Sequence, residues 1–244
     1  MLNRSKFDDD ERRNIIDTAH HTLFAEDGLK GRNFLVSRGI SKETAKDFKL
    51  GYCPDIGLTH LSNRIIIPCF DVYGNAVAIS ARKTTHDDSE KPHWWNEVFN
   101  KKKHLFGFRQ AYPHIIEKGY VIIVEGQFDV TSLFQYGVKN VVGLMGSSFS
   151  SRRLSLLRAF CKTIVILMDE DPNQSGQKAA KKMWEVLNSF KFPEYVIAKL
   201  PVGYDPDLYI REKGAKELLR VVDKARKDII INSHDELRKT IERL

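Results

Sequence analysis

Apolar side chains recur at helical spacing near the N-terminus. Ile15, Ile16, Ala19, Leu23 and Phe24 predict a helix over residues 10–26, which Gly28 stops. A shorter helix is predicted over Gly31–Ser37 and closed by Gly39, and Ser41 caps a third, KETAKDF. From Asn63 the period changes. RIIIPCF is a β-rich run, DVYGN is a turn around Gly74, and AVAISAR alternates apolar with small or polar residues, which together predict a hairpin. Residues 83–104 read as a charged loop, apart from the pair Trp94 and Trp95.

From about residue 119 strands and helices alternate. YVIIVEG, NVVGLM, TIVILMDED and YVIAKL are buried-strand patterns. DVTSLFQYG, SRRLSLLRAF and SGQKAAKKMWEVLNSF are the helices between them. Near-continuous Val/Ile/Leu strands joined by helices predict an α/β fold with a parallel sheet covered on both faces. DPDLYIREKG and AKELLRVVDKAR follow as helices, and Ser233 with Glu236 three residues on forms a capping-box pattern for a last one. The expected division is an α+β lobe over 1–117, a parallel-sheet domain over 118–210 and a helical segment over 211–244.

Composition narrows the class. The chain has 244 residues, 42% hydrophobic and 29% charged, which excludes collagen-like, disulfide-framework and wholly disordered chains. No apolar run reaches the roughly 20 residues of a membrane span, and MLNRSKFDDDERR has no signal-peptide core, so a cytoplasmic protein without a membrane partner is expected. Cys53, Cys69 and Cys161 form no CxxC pair, so reduced thiols and no zinc are expected. Lys and Arg number 39 against 32 acids, a net charge of +7, which suits a polyanionic partner if the basic residues gather beside a site.

The acids carry the chemistry. Glu125 ends the first predicted strand, with Asp129 one helical turn later. Asp169, Glu170 and Asp171 end the third, and Asp205 and Asp207 follow the fourth. An open parallel sheet brings its carboxyl ends to one edge, where sites form. A lone acid there often only caps the next helix, but acids at three separate strand ends repel one another and call for a hard divalent cation with oxygen ligands, such as Mg²⁺. With no His or Cys among them zinc is unsuited. Two ions about 3.5–4 Å apart can clamp an in-line displacement at phosphorus.

At VIIVEGQFDV the chain resembles a known family. Glu125-Gly126 with Asp129 is similar to the first motif of the Toprim fold, and Asp169-Glu170-Asp171 to its DxD motif. Within that fold the order of motifs resembles the bacterial, DnaG-type DNA primases. NVVGLMGSS, Asp205-Pro206-Asp207 and, upstream, FLVSRGISKETAKDFKLGYCP, NRIIIPCFDVYGNAVAISAR and FNKKKHLFGF follow the family in order, from about residue 10 to about 225. The resemblance implies DNA-templated synthesis of short RNA primers from ribonucleoside triphosphates on single-stranded DNA. It implies that Glu125, Asp129, Asp169, Asp171, Asp205 and Asp207 form the acidic centre for Mg²⁺ or Mn²⁺, two ions or more, with Glu125 a ligand or a proton-handling group. It also implies a basic track of Arg64, Arg82, Lys91, Lys101 and Lys103 for template or triphosphate.

Some segments depart from the family. Glu170 replaces a common glycine, PNQSG lengthens the path to the next glycine, and His93-Trp94-Trp95 replaces another loop motif, with the tryptophans read as buried anchors ahead of base-stacking groups. With no zinc module before residue 10 and no full helicase-binding domain after 226, the resemblance implies an excised catalytic core or a compact, viral-type primase, with a replicative helicase and a separate zinc-binding module as partners. The rival readings are a Toprim metal-dependent nuclease and a non-catalytic replication-associated binding module. The primase-like N-terminal lobe opposes the first, and the intact acids oppose the second.

Overall fold

In the computed structural model, which describes residues 7–55, 60–85, 92–146, 149–170 and 175–241, the first apolar stripe forms helix α1 (Asp9–Phe24). Asp8 opens it with a capping box: its carboxylate accepts the Glu11 N–H at 2.8 Å, and Glu11 accepts the Asp8 N–H at 3.0 Å. The helix ends earlier than its pattern predicts, in a tight turn over Glu26–Gly28. There Gly28 lies so close to the Leu23 carbonyl that a Cβ would be 2.3 Å from its oxygen. Helices α2 (Leu29–Ser37) and α3 (Lys42–Asp47) follow. Ser41 caps α3 as expected, its hydroxyl accepting the Thr44 N–H at 3.1 Å. Ser41→Ala should therefore lower the unfolding free energy by about 1 kcal/mol, measured by urea denaturation; an unchanged midpoint would show that the cap is replaced by water.

Strands β1 (Gly51–Cys53), β2 (Arg64–Phe70), β3 (Ala76–Lys83) and β4 (Trp94–Asn96) form an antiparallel sheet in that order. The β2–β3 hairpin is the one the alternation predicts. β1 and β4 are strands of three residues, too short to show a period. Ile16 and Ala19 of α1 pack with Leu61, Ile66, Ile79 and Ala81, and Trp95 joins this core through Phe7 and His60. A buried ion pair ties the helix to the sheet. Arg12, 3% exposed, gives Nε and Nη2 to Glu97, 2% exposed, at 3.0 and 2.7 Å. Glu97 also accepts the Ile79 and Phe7 N–H groups, so both charges are buried with their bonds satisfied.

The chain divides into two units, Met1–Gln110 and Ala111–Leu244. Helix α4 (Phe108–Lys118) spans the division and carries Pro113. The second unit runs β5 (Tyr120–Val124), α5 (Gln127–Gln135), β6 (Val141–Gly143), α6 (Ser151–Arg158), β7 (Thr163–Ile166), α7 (Ser175–Ser189), β8 (Glu194–Ile197) and α8 (Pro206–Ile241). Its strands are parallel in the order β6-β5-β7-β8. Every residue of β5, β6 and β7 is buried, as a sheet covered on both faces requires. Gly214, at φ 81°, breaks α8 where the sequence separates two helices. No break occurs at Ser233: once the helix is nucleated, continuing it costs less than a fresh start at that capping pattern. Among the described residues no helix is long and apolar enough to cross a membrane.

Candidate active site

The strand order decides where the acids meet. From the central β5 the chain moves to β6 on one side and then to β7 on the other, so the β5 and β7 connections diverge. This is the switch point at which an open parallel sheet leaves a crevice beyond its carboxyl ends. Glu125 follows β5 directly, and Asp169 lies three residues past β7. A Cβ on Gly176, in the first turn of α7, would be 2.1 Å from the Asp169 carbonyl oxygen and 2.9 Å from Glu125 Oε1. Two strand ends and a helix start therefore converge on one point, and only a glycine admits that approach. The loop after β6 closes on the same place: the Met145 N–H donates to the Glu125 carbonyl at 3.0 Å. Met145 and Gly146 are both left-handed there, at φ 56° and 64°, a costly conformation for methionine.

The remaining acids divide by burial. Glu125, Asp169 and Asp205 are half-buried, whereas Asp129 and Asp207 are buried. Asp129 bonds backbone on both sides: Oδ2 accepts the Gly126 N–H at 2.8 Å and Oδ1 the Asp207 N–H at 3.3 Å. Burial pushes its pKa up to about 7, the charges of Asp205 and Asp207 add to the rise, and the two N–H groups oppose it. Asp207 takes Ser132 Oγ at 2.6 Å and Arg211 Nε at 2.9 Å on Oδ1, and Arg211 Nη2 at 3.2 Å on Oδ2. Asp205 caps α8 by accepting the Leu208 N–H at 2.6 Å. Glu170 accepts Gln177 Nε2 at 2.7 Å, and its backbone pairs with Gly203 and Tyr204. That binds the β7 loop to the loop after β8 and accounts for an acid to which the sequence assigned no role. Asp171 lies outside the described residues.

Among the described residues, no three acid, His or Cys side chains gather closely enough to hold an ion by themselves. The donors that line the crevice are carboxylates with no imidazole or thiolate beside them, and the glycine cradle brings Glu125 against the Asp169 loop. This chemistry suits a hard divalent cation whose shell is completed by water or phosphate oxygen. The thiols take no part: Cys69 and Cys161 are buried, and burial pushes the Cys161 pKa up to about 12.

In the first unit Arg64 and Arg82 are buried, at 3% and 7% exposure, and neither has a carboxylate partner among the described residues. Both donate to the His93 carbonyl, at 3.1 and 3.3 Å, and Arg64 also reaches the Pro92 carbonyl at 2.8 Å. Arg82 lies over the Trp94 ring, 5.7 Å from its centroid. Burial lowers both guanidinium pKa values, and for Arg82 the charges of Arg38 and Arg64 lower it further. Arg38 at the end of α2 is thus a third member of a positive cluster, and no sequence motif marks it. Lys101 and Lys103 occupy a separate single turn, Lys101–Lys103, the first half-buried and the second exposed. Lys91 lies outside the described residues.

Residues 122–210 match the Toprim-like family model, which spans the β5 and β7 acids and the Asp205–Asp207 motif. A DNA primase of Aquifex aeolicus is 32% identical over 255 residues, covering 90% of this chain and 48% of the relative. The chain is a homologue of the bacterial DnaG-type primase catalytic core. The crystal structure of the zinc-binding and RNA polymerase domains of the Aquifex aeolicus primase superposes with a TM-score of 0.76 at 28% identity, covering 98% of this chain and 68% of that one. A DnaG primase catalytic domain bound to single-stranded DNA shares the fold, with a TM-score of 0.77 at 21% identity and coverage of 88% and 79%. The chain spans about half the length, or less, of the first curated primases it matches. Both fold expectations, a Toprim parallel sheet and an α+β lobe before it, are met. Toprim primases are, as a family, metal-dependent.

Proposed function

We propose that the chain synthesises short RNA primers on single-stranded DNA by metal-assisted nucleotidyl transfer. The observation that carries this reading is the convergence of Glu125 and Asp169 at the β5–β7 switch point of a Toprim sheet. Its weight comes from a primase likeness along 90% of the chain. Glu125, Asp169, Asp171 and Asp205 would hold Mg²⁺ or Mn²⁺, as two ions or more, while Asp129 and Asp207 complete the acidic centre from its buried side. A cation held there would supply charge neutralisation for the triphosphate and a lowered pKa for the attacking 3′-hydroxyl. The chain's own carboxylates orient the site, and Glu125 serves either as a ligand or as the group that takes the hydroxyl proton. In the first unit Arg64, Arg82, Lys101 and Lys103, with Lys91, bind template phosphates or the incoming triphosphate through charge-assisted hydrogen bonds. The DNA-bound catalytic domain of like fold supports a single-stranded template. The zinc-binding domain of the Aquifex relative supports a separate zinc module, and a replicative helicase is the remaining partner, all in the compartment that holds replicating DNA, the cytoplasm.

The test is synthesis from labelled ribonucleotides on single-stranded DNA with Mg²⁺ or Mn²⁺, beside a lane for DNA cleavage. Template-dependent RNA supports the reading, and cleavage without synthesis replaces it with a metal nuclease. A second measurement checks the basic cluster. Arg82 carries a buried charge, and its Nε has no hydrogen-bond partner among the described residues. Arg82→Gln should weaken single-stranded DNA binding about tenfold and make the salt dependence of log K shallower by about 0.7, the loss of one phosphate contact. Fluorescence anisotropy across a salt series reads both. An unchanged slope would make Arg82 a purely structural cation.

A further inference from the structure

The buried side of the acidic centre has its own support, supplied by two residues to which no role has been given. Ser132 lies on α5, and Arg211 lies one turn beyond Asp207 on α8. Both donate to the same oxygen, Asp207 Oδ1, at 2.6 and 2.9 Å, and Arg211 closes a fork by donating to Oδ2 at 3.2 Å. The Asp207 side chain is 5% exposed, so the cation against it stabilises a charge that burial alone would disfavour. The bonds continue toward the crevice. The Asp207 N–H donates to Asp129 Oδ1, and Asp129 Oδ2 accepts the Gly126 N–H. Gly126 is covalently next to Glu125. Arg211, Asp207, Asp129 and Gly126 thus form one line of bonds from α8 to the loop that presents Glu125.

The geometry points to Arg211 and Ser132 as positioning residues for a divalent cation: they clamp Asp207 so that Asp129 holds the Glu125 loop in place. This rests on the metal centre proposed above. The clamp also decides how negative charge is shared. With its own charge neutralised by Arg211, Asp207 stays turned into the protein and leaves the cation to the crevice acids. Without the guanidinium it is an unneutralised buried charge next to Asp129 and Asp205, and the frame loosens where Glu125 is attached.

The experiment is Mn²⁺ binding to the whole chain, followed by electron paramagnetic resonance of the free ion, with no substrate present. Residues that hold a ligand in place typically change metal affinity 10–100-fold when removed. Arg211→Met should weaken Mn²⁺ binding at least about tenfold, Ser132→Ala less, and Arg211→Lys should recover part of the loss, since an ammonium restores the charge but not the fork. Arg220→Met, which removes a surface partner of Glu217 on the same helix, should bind as wild type. A clamp that is only structural would lower the unfolding midpoint and leave the Mn²⁺ isotherm of the folded protein unmoved. Wild-type isotherms for folded Arg211→Met and Ser132→Ala would overturn the proposal. If Arg211→Met does not fold, Ser132→Ala and Arg211→Lys decide by the same criterion. A wild-type chain that binds no Mn²⁺ would overturn the metal centre and the clamp together, an outcome distinct from equal binding by wild type and variants.

Discussion

Asp169→Asn is expected to reduce templated RNA synthesis by about a hundredfold to a thousandfold while leaving the protein at least as stable as the wild type in metal-free buffer. The two halves of this result come from one cause. Asp169 stands in the crevice beyond β7, and its loop meets the Glu125 carboxylate at the Gly176 cradle. In the absence of a cation, a half-buried charge on a rim that also carries Glu125 and Asp205 bears a desolvation and like-charge cost, so its removal is not expected to cost stability. In the reaction the same charge acts on a triphosphate, and preorganised charge of this kind, once removed, is lost from the transition state. Glu170→Gln is the matched control. Glu170 points at Gln177 and works through its backbone bonds to Gly203 and Tyr204, so its variant should synthesise within about threefold of wild type, as a substitution away from the reacting atoms does. Gel analysis of labelled products and thermal unfolding on the same preparations read both quantities. Unchanged synthesis by Asp169→Asn would remove it from the mechanism; loss of synthesis with loss of fold would show only that the loop needs it.

The four parallel strands and their helices are where the apolar runs place them, because a strand buried on both faces, as β5, β6 and β7 are, must be apolar at nearly every position; β8, expected to be buried as well, lies at the sheet edge, exposed at Glu194 and half-buried over Tyr195–Ile197. β1 and β4 escape notice at three residues each, too short for a period to emerge. Helix α4 escapes because Pro113 reads as a breaker, yet an eleven-residue helix tolerates it. In the site, the acids are legible because a strand end is recognisable and acids at three separate strand ends exceed what helix capping calls for. What each acid does is not. Asp129 and Asp169 look alike in sequence; the bonds that turn one inward depend on where α8 meets α5, a tertiary contact with no local signature. Arg211 has a faint one, a cation one helical turn after Asp207, the spacing of a surface pair. Ser132 has none. The tryptophans follow the same logic: Trp95 packs into the α1 core and Trp94 lies under Arg82, so the aromatic pair anchors β4.

Asp129 should make the stability of the metal-free protein fall as pH rises from about 4 to about 7. Its folded pKa is pushed from 3.8 up to about 7, chiefly by burial, so folding favours the neutral carboxyl. In acid, below the unfolded value, both states are protonated and the full benefit of the neutral group is present. As pH rises the unfolded chain ionises first, and by the folded value that benefit is gone; from there the cost of the buried charge is constant. A displacement of this size corresponds to on the order of 4 kcal/mol. In Asp129→Asn the gradient is absent. An amide accepts one of the two backbone N–H groups and meets the other with a donor, a penalty that does not depend on pH. The variant's stability relative to wild type should therefore climb between pH 4 and pH 7 and level off above it, whatever its offset. Urea unfolding in chelator at several pH values measures the difference directly, and parallel profiles for the two proteins would show that Asp129 titrates alike in the folded and unfolded chain. Because Asp129 bonds both the Gly126 and the Asp207 N–H, a flat difference would also mean that those two bonds balance burial and the charges of Asp205 and Asp207.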